Sequence, residues 1–188
     1  MYITLVPSED LPESLGETWA AASQGGRKFV QAVAHASEHA ERLFPFYNGL
    51  RFGTRIGPRL CELLRLAIAQ TTQCPLCLAG RLPVAFEEGL TNEEIERVAD
   101  PGSSTFSDRD QAVIDFALKF GSDHFQIGED EWRALHEHFD EEEVIEIGML
   151  CAQFLGFGRL VMTLGLEEPS CMIPGLAPAT AAAAAGNT

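Results

Sequence analysis

The residues most able to do chemistry are two cysteines with two residues between them, Cys74 and Cys77, in Cys74-Pro75-Leu76-Cys77. Proline is favoured at the first position of a helix, so this order predicts a helix opening with Cys74 near its cap. A thiol placed there sits among unpaired N–H groups and the positive end of the helix dipole, which favours the thiolate. With two intervening residues the second thiol can reach the first sulfur, so an oxidised form of one can resolve as an intramolecular disulfide. A lone Cys-x-x-Cys without a second pair or nearby histidines is poor evidence for zinc, and a redox dithiol is the reading adopted. Arg81 follows Cys77 by four residues, which predicts the same helix face one turn later. Glu62 precedes Cys74 by twelve, on a helix that abuts the junction. Together they predict either a charged pocket beside the sulfurs or an ion pair tying two helices together.

The rest of the composition narrows the setting. The chain has 188 residues and a net charge of -15, long enough for one core without staples and repulsive to phosphate backbones and anionic lipid headgroups. Nucleic acid and membrane surfaces are therefore not expected partners. The amino terminus, Met1 to Pro7, carries no basic segment ahead of its short apolar run, and a cytoplasmic location is expected. Five cysteines with one close pair do not make a disulfide framework, and Cys61, Cys151 and Cys171 read as small buried hydrophobes. The stretch Gly148 to Leu166 is apolar nearly all round. Arg159 and Gln153 lie within it and an acidic run precedes it, so a core or subunit-interface helix is expected rather than a membrane span.

Helix signals recur along the chain while the alternation and turns of strands do not, so the fold class is all-α. Thr91 with Glu94, and Asp140 with Glu143, form capping boxes flanked by the staple pairs Leu90/Ile95 and Phe139/Val144. Ser107 opens a helix whose apolar face is Val113, Phe116, Ala117 and Phe120. Gly57-Pro58 starts a helix carrying Leu60, Leu64, Ala67, Ile68 and Thr71, running to about Gln73. The helix begun at Cys74-Pro75 is predicted to continue through Arg81 to Glu88 and end at Gly89. Upstream, helices are predicted over Glu13 to Ser23 and Lys28 to Phe44, separated by Gly25-Gly26 and stopped by Pro45. Residues 1–168 are read as one domain and 169–188 as a low-complexity, alanine-rich tail.

The run from Arg59 to Arg81, Arg-Leu-Cys-Glu-Leu-Leu-Arg-Leu-Ala-Ile-Ala-Gln-Thr-Thr-Gln-Cys-Pro-Leu-Cys-Leu-Ala-Gly-Arg, is followed by Glu88-Gly89-Leu90-Thr91. It resembles the core motif of the carboxymuconolactone decarboxylase superfamily in its alkylhydroperoxidase D-like branch. The flanks Leu43 to Leu50 and Phe154 to Leu164 resemble the helices on either side of that motif. The resemblance implies an alkylhydroperoxidase D-like bundle of roughly seven helices, assembled as a homo-oligomer, a trimer or hexamer. It implies a thiol-dependent oxidoreductase that reduces a small hydroperoxide, with Cys77 attacking, Cys74 resolving and Glu62 in the proton relay. No bound cofactor is implied, only an external dithiol donor. The chain departs from the motif at two places: Arg81 stands where the family has its relay histidine, and Leu76 where a polar histidine or tyrosine is usual. An arginine can stabilise charge but cannot shuttle protons at working pH.

Two other readings stay open: a dithiol–disulfide exchange protein, and a non-catalytic oligomeric member that kept the fold. Lactone decarboxylation has no counterpart in the histidines. No metal site is expected, since His35 and His39, four apart, sit beside Glu38 and Glu41 on what reads as a solvated face. His124, His136 and His138 carry no assigned role. Arg159 is expected to pair with an acidic residue of a neighbouring helix, and Gly148, Gly156 and Gly158 to let helices approach.

Overall fold

A computed structural model of the chain describes residues 1–100 and 105–166. The tail reading and Cys171 fall outside them. The described residues are helical with no strands. Ten α-helices run in order: α1 Glu13–Ala21, α2 Gln24–Val33, α3 Ser37–Phe52, α4 Pro58–Thr72, α5 Pro75–Ala79, α6 Pro83–Glu87, α7 Asn92–Arg97, α8 Asp108–Ser122, α9 Glu129–His136 and α10 Glu141–Leu164.

Helix α4 is the axis of the fold, with every residue from Leu60 to Ala69 buried. Gly57, at φ 85°, turns the chain into Pro58 at the first helical position, and Gln73 leaves it in the left-handed region at φ 51°. Helices α8 and α10 pack along α4. Their closest approaches fall at Gly121 and Gly158, where a Cβ would meet Thr71 and Thr72 respectively. Around α4 the main core gathers Leu63, Leu64, Ile68, Val113, Phe116, Ile147 and Leu150. A smaller cluster of Leu15, Val30, Ala34, Ala40 and Phe44 joins the first three helices. A third surrounds Cys74 with Ala32, Val161 and Leu166, and the amino-terminal strap closes over it through Ile3 and Leu5. The strap is held by hydrogen bonds from Tyr2 N to Leu164 O (2.9 Å) and from Gln31 Nε2 to Val6 O (2.8 Å).

The helix starts predicted at Pro58, Pro75, Thr91, Ser107 and Asp140 are present, whereas the helix predicted over Lys28 to Phe44 is two, α2 and α3, joined by a 3-10 turn at Ala34–Ala36. Thr91 and Asp140 each complete a capping box, Ser107 accepts from Asp110 N, and the staple residues Leu90, Phe139 and Val144 are buried. Cys61 and Cys151 are buried, as expected of small apolar side chains.

Three further boundaries and one pairing differ from expectation. Pro45 does not stop a helix: it lies inside α3, on the exposed side, where water can satisfy the carbonyl its missing N–H leaves open. Gly25 and Gly26 do not separate helices either; they form the first turn of α2, capped by Ser23, whose hydroxyl accepts from Gly26 N at 3.3 Å. The helix predicted from Pro75 to Glu88 is two helices, because Pro83 cannot continue a helix and holds Leu82 extended. Together with α9, this split raises the helix number above the roughly seven expected. Arg159 donates to the Gly121 carbonyl at 3.2 Å rather than to an acidic side chain.

Helix α10 is the one described helix long and apolar enough to cross a membrane by length and composition. Its inner face, including Ile147, Leu150, Cys151 and Phe154, is buried in the main core.

Candidate active site

The dithiol lies where α4 gives way to α5. The left-handed turn at Gln73 redirects the chain, and Cys74 takes the cap of α5 with Pro75 next. The Cys74 sulfur is fully buried and accepts a hydrogen bond from Cys77 N at 3.3 Å. Cys77, one turn on, is the more accessible of the two. A cap position therefore goes to Cys74, while the reachable sulfur belongs to Cys77.

Cys77, one turn inside the cap, does not share the thiolate-favouring position expected of Cys74. Its hydrogen bond with Cys74 holds the Cys77 thiol well above the usual range, and burial and the Cys74 charge add to that. Arg65 and Arg51 pull the other way and do not prevail. Helix α5 has only five residues, so little dipole is available to lower it.

Arg65, to which no role was assigned from the sequence, is the centre of the site's polar network. It is 6 % exposed and donates from Nε and Nη2 to the two oxygens of Glu62, at 2.8 and 2.7 Å. The same guanidinium donates to the carbonyls of Cys77 and Gly80, the latter at 2.9 Å. Burial works against the Arg65 charge, and the Glu62 carboxylate more than restores it. A buried charge pair of this kind persists only when its remaining donors are satisfied, and the two carbonyls at the end of α5 satisfy them. Glu62 is thereby tied to the dithiol helix through Arg65.

Arg81 is not on a helix face with Cys77, because α5 ends at Ala79. Its guanidinium donates to the carbonyls of Leu78 and Gly80, the latter at 2.7 Å. Partial burial and the nearby Arg65 charge lower its proton affinity, against Glu62. Glu62 thus takes Arg65 as its partner in the ion pair, with Arg81 as a second positive charge beside it.

Helix α3 contributes two further groups, Tyr47 and Arg51. Arg51 Nη1 donates to the Tyr47 hydroxyl at 3.5 Å. Burial raises the phenol's proton affinity, Arg51 and Arg65 oppose it, and the Cys77 charge adds to it. Arg51 Nε is buried without a hydrogen-bond partner among the described residues. Phe154 and Phe157 meet the Tyr47 ring edge-on, with centroids 6.3 and 5.6 Å away. The position of Arg65, i+3 from Glu62 within an apolar helix, was a readable signal for an ion pair. Tyr47 and Arg51 carry no local signal, since only the packing of α3 on α4 and α10 brings them to the sulfurs.

Leu76, at the motif's usual polar position, lies over Gly25, with its methyl carbons where a Cβ on that glycine would stand. His35 Nε2 lies 2.7 Å from the Thr4 carbonyl. Among the described residues no three of His, Cys, Asp and Glu are grouped to hold a metal ion.

Residues 37–117, which hold α3, α4 and the dithiol, match the family model described as the Carboxymuconolactone decarboxylase family. The chain resembles an alkylhydroperoxidase AhpD core structure, an uncharacterized peroxidase-related protein of Ralstonia eutropha JMP134. That match has a TM-score of 0.71 at 20% identity over 90% of this chain and 93% of that one. It is likewise similar to an uncharacterized peroxidase-related protein of Silicibacter sp. TM1040, with a TM-score of 0.73 at 18% identity, covering 88% of this chain and 90% of the other. A 37-residue stretch is 46% identical to uncharacterized protein 4 in the cox locus of Paracoccus denitrificans, which is 20% of this chain and 33% of that protein. The stretch matched is thus about a third of that relative's length. The chain has the fold of the alkylhydroperoxidase AhpD core, and within it the segment 37–117 matches the model of the carboxymuconolactone decarboxylase family.

Proposed function

We propose that the protein is a thiol-dependent oxidoreductase that reduces a small hydroperoxide at Cys77 and closes a Cys74–Cys77 disulfide. The observation that carries this is the placement of the two sulfurs on one turn, the accessible Cys77 hydrogen-bonded to a buried Cys74. The Cys77 sulfur attacks the outer oxygen of ROOH, the O–O bond breaks, and the products are Cys77 sulfenic acid and ROH. The Cys74 thiol then displaces water from the sulfenic acid to form the disulfide. An external dithiol reduces it, restoring both thiols and leaving as a disulfide.

The neighbouring groups have roles in this cycle. Arg65 and Glu62 fix the end of α5 and so the position of Cys77. The Tyr47 phenol, kept protonated by burial, is a proton source for the departing alkoxide. Arg51, with a buried donor unspent, supplies positive charge for the same oxygen. Arg81 adds a fixed charge beside the Glu62–Arg65 pair. No bound cofactor enters the cycle. The reductant and the hydroperoxide are the partners, in a cytosolic setting that keeps thiols reduced.

A second reading is favoured by one observation. Arg81, at the motif's relay position, spends its guanidinium on the Leu78 and Gly80 carbonyls and cannot shuttle a proton to a departing alkoxide, which suits a dithiol that exchanges with protein or small-molecule disulfides instead. Turnover separates the two. With excess dithiol donor, the peroxidase predicts continuous consumption of an organic hydroperoxide that Cys77→Ser abolishes. Disulfide exchange predicts reduction of a small disulfide with no hydroperoxide consumption above the donor alone.

A further inference from the structure

Cys74 is fully buried, yet part of what covers it is not helix. The side chain lies where α2, α5 and α10 meet, in a cluster with Ala32, Val161 and Leu166. Ile3 and Leu5 of the amino-terminal strap, residues 1–7, pack against that cluster. The strap forms no helix or strand, and none of its residues is itself buried. Cys77 by contrast keeps partial exposure, so the two sulfurs of one dithiol differ in access.

The strap is tethered on both sides of Cys74. On one side Val6 N donates to Gln31 O at 3.2 Å and Gln31 Nε2 donates back to Val6 O at 2.8 Å, next to Ala32. On the other, Tyr2 N donates to Leu164 O at 2.9 Å, one turn from Val161. Between these ties His35 Nε2 holds the Thr4 carbonyl at 2.7 Å. Each of these bonds joins the strap to a helix and none lies within one, so lifting the strap leaves α2, α5 and α10 whole. A segment with no buried residue and no regular structure of its own belongs to the low end of the local stability range. The main core, where Cys61 and Cys151 are 1 % and 0 % exposed, belongs to the high end.

We infer that the strap is a gate over Cys74: closed, it leaves Cys77 as the sulfur of the pair that external thiols and electrophiles reach, and it opens by local unfolding that keeps the helical core intact. In the cycle proposed above, on which this consequence rests, the closed gate sets the direction of disulfide reduction. The external thiolate attacks the Cys77 sulfur, the S–S bond breaks, and Cys74 leaves as the thiolate, with the Cys77 N–H directed at it. Behind the closed strap Cys74 meets no hydroperoxide, only the sulfenic acid that Cys77 presents to it.

The test is the rate at which iodoacetamide labels Cys74 in the reduced full chain carrying Cys77→Ser, which keeps the backbone N–H that Cys74 accepts. The same chain is compared with Gln31→Ala and with Leu5→Asp added, each cysteine being followed by peptide mass. Cys61 and Cys151 serve as controls in the same sample, since global unfolding exposes them together with Cys74 while strap opening exposes Cys74 alone. Expected is faster labelling of Cys74, by about two- to tenfold in Gln31→Ala for the loss of one hydrogen bond. In Leu5→Asp, which sets a charge against the apolar cluster, the expected gain is about tenfold or more. Cys61 and Cys151 should keep their rates. Unchanged labelling of Cys74 in both variants, or a rise shared equally by Cys61 and Cys151 in both, overturns the inference. So does labelling of Cys74 under the intact strap as fast as that of Cys77 in a Cys74→Ser chain. Neither hydroperoxide nor dithiol donor is present, so a failure of the gate is read apart from a failure of the oxidoreductase cycle.

Discussion

Glu62 and Arg65, three residues apart on one buried helix, form a two-pronged ion pair at 2.8 and 2.7 Å, and the same guanidinium holds the carbonyls of Cys77 and Gly80. The pair connects the most buried helix of the fold to the short helix that carries the dithiol. Its consequences can be measured separately from the thiols themselves.

Arg65→Ala leaves the Glu62 carboxylate buried without its partner and removes the side-chain donor to the Cys77 carbonyl, while Gly80 keeps Arg81. Loss of one member of a buried pair costs about 3–5 kcal/mol. The variant is expected to melt well below wild type. Arg65→Lys keeps the charge but loses the planar fork, so it should recover part of the stability while slowing disulfide closure. Equal behaviour of Lys and wild type in both readouts would show that charge alone matters.

Tyr47→Phe removes the phenolic proton while keeping the ring between Phe154 and Phe157. Loss of a positioned proton donor reduces rate by about 10²-fold or more. The expected result is a slower hydroperoxide reaction with unchanged reduction of a small disulfide, whose leaving thiolate needs no such donor. A parallel fall in both rates would instead mark Tyr47 as a packing residue.

Stability should respond to acid through Glu94. Burial opposes its ionisation, but hydrogen bonds from Arg59 and from Thr91 prevail and hold its carboxyl below the usual range. The sign follows from linkage: the unfolded chain binds this proton more readily, so stability is present above the unfolded value and lost as pH falls through the folded one. Denaturant midpoints taken downward from pH 6 should therefore fall below about pH 4.5, the upper edge of the ordinary carboxylate range. Glu94→Gln should flatten part of that fall and lower the midpoint at pH 7.

Gly121→Ala tests the packing behind the site. A Cβ there would come within 2.9 Å of Thr71 Cβ and Cγ2, atoms close to the α4 backbone that cannot swing away. Overpacking of this kind costs about 1–3 kcal/mol, read as a lower melting temperature. Gly148→Ala, where the added carbon meets open space, should cost nothing in a single chain.

The sequence declared its helix starts because caps, boxes and N1 prolines are local chemistry, and Thr91, Ser107, Asp140 and Pro58 each act within four residues of themselves. It declared the dithiol for the same reason. Pro45 and Pro83 are the instructive pair. Both are exposed, yet the same ring is carried through the interior of α3 at one and opens α6 at the other, a difference that no local pattern marks. Arg65 was visible as a charge in an apolar run, but its reach to Cys77 and Gly80 depends on the sharp turn at Gln73. Tyr47 and Arg51, about 25–30 residues upstream of the sulfurs, are brought to them by packing that no local pattern encodes.

The central claim is that Cys77 and Cys74 act as one redox unit, and counting thiols tests it most directly. The fully reduced protein is mixed with one equivalent of an organic hydroperoxide, and remaining thiols are counted over time in wild type, Cys77→Ser and Cys74→Ser. The account predicts loss of two thiols per chain in wild type, no fast loss in Cys77→Ser, and a sulfenic acid that persists in Cys74→Ser. Loss no faster than that of a free cysteine peptide, with Cys77→Ser indistinguishable from wild type, would contradict it.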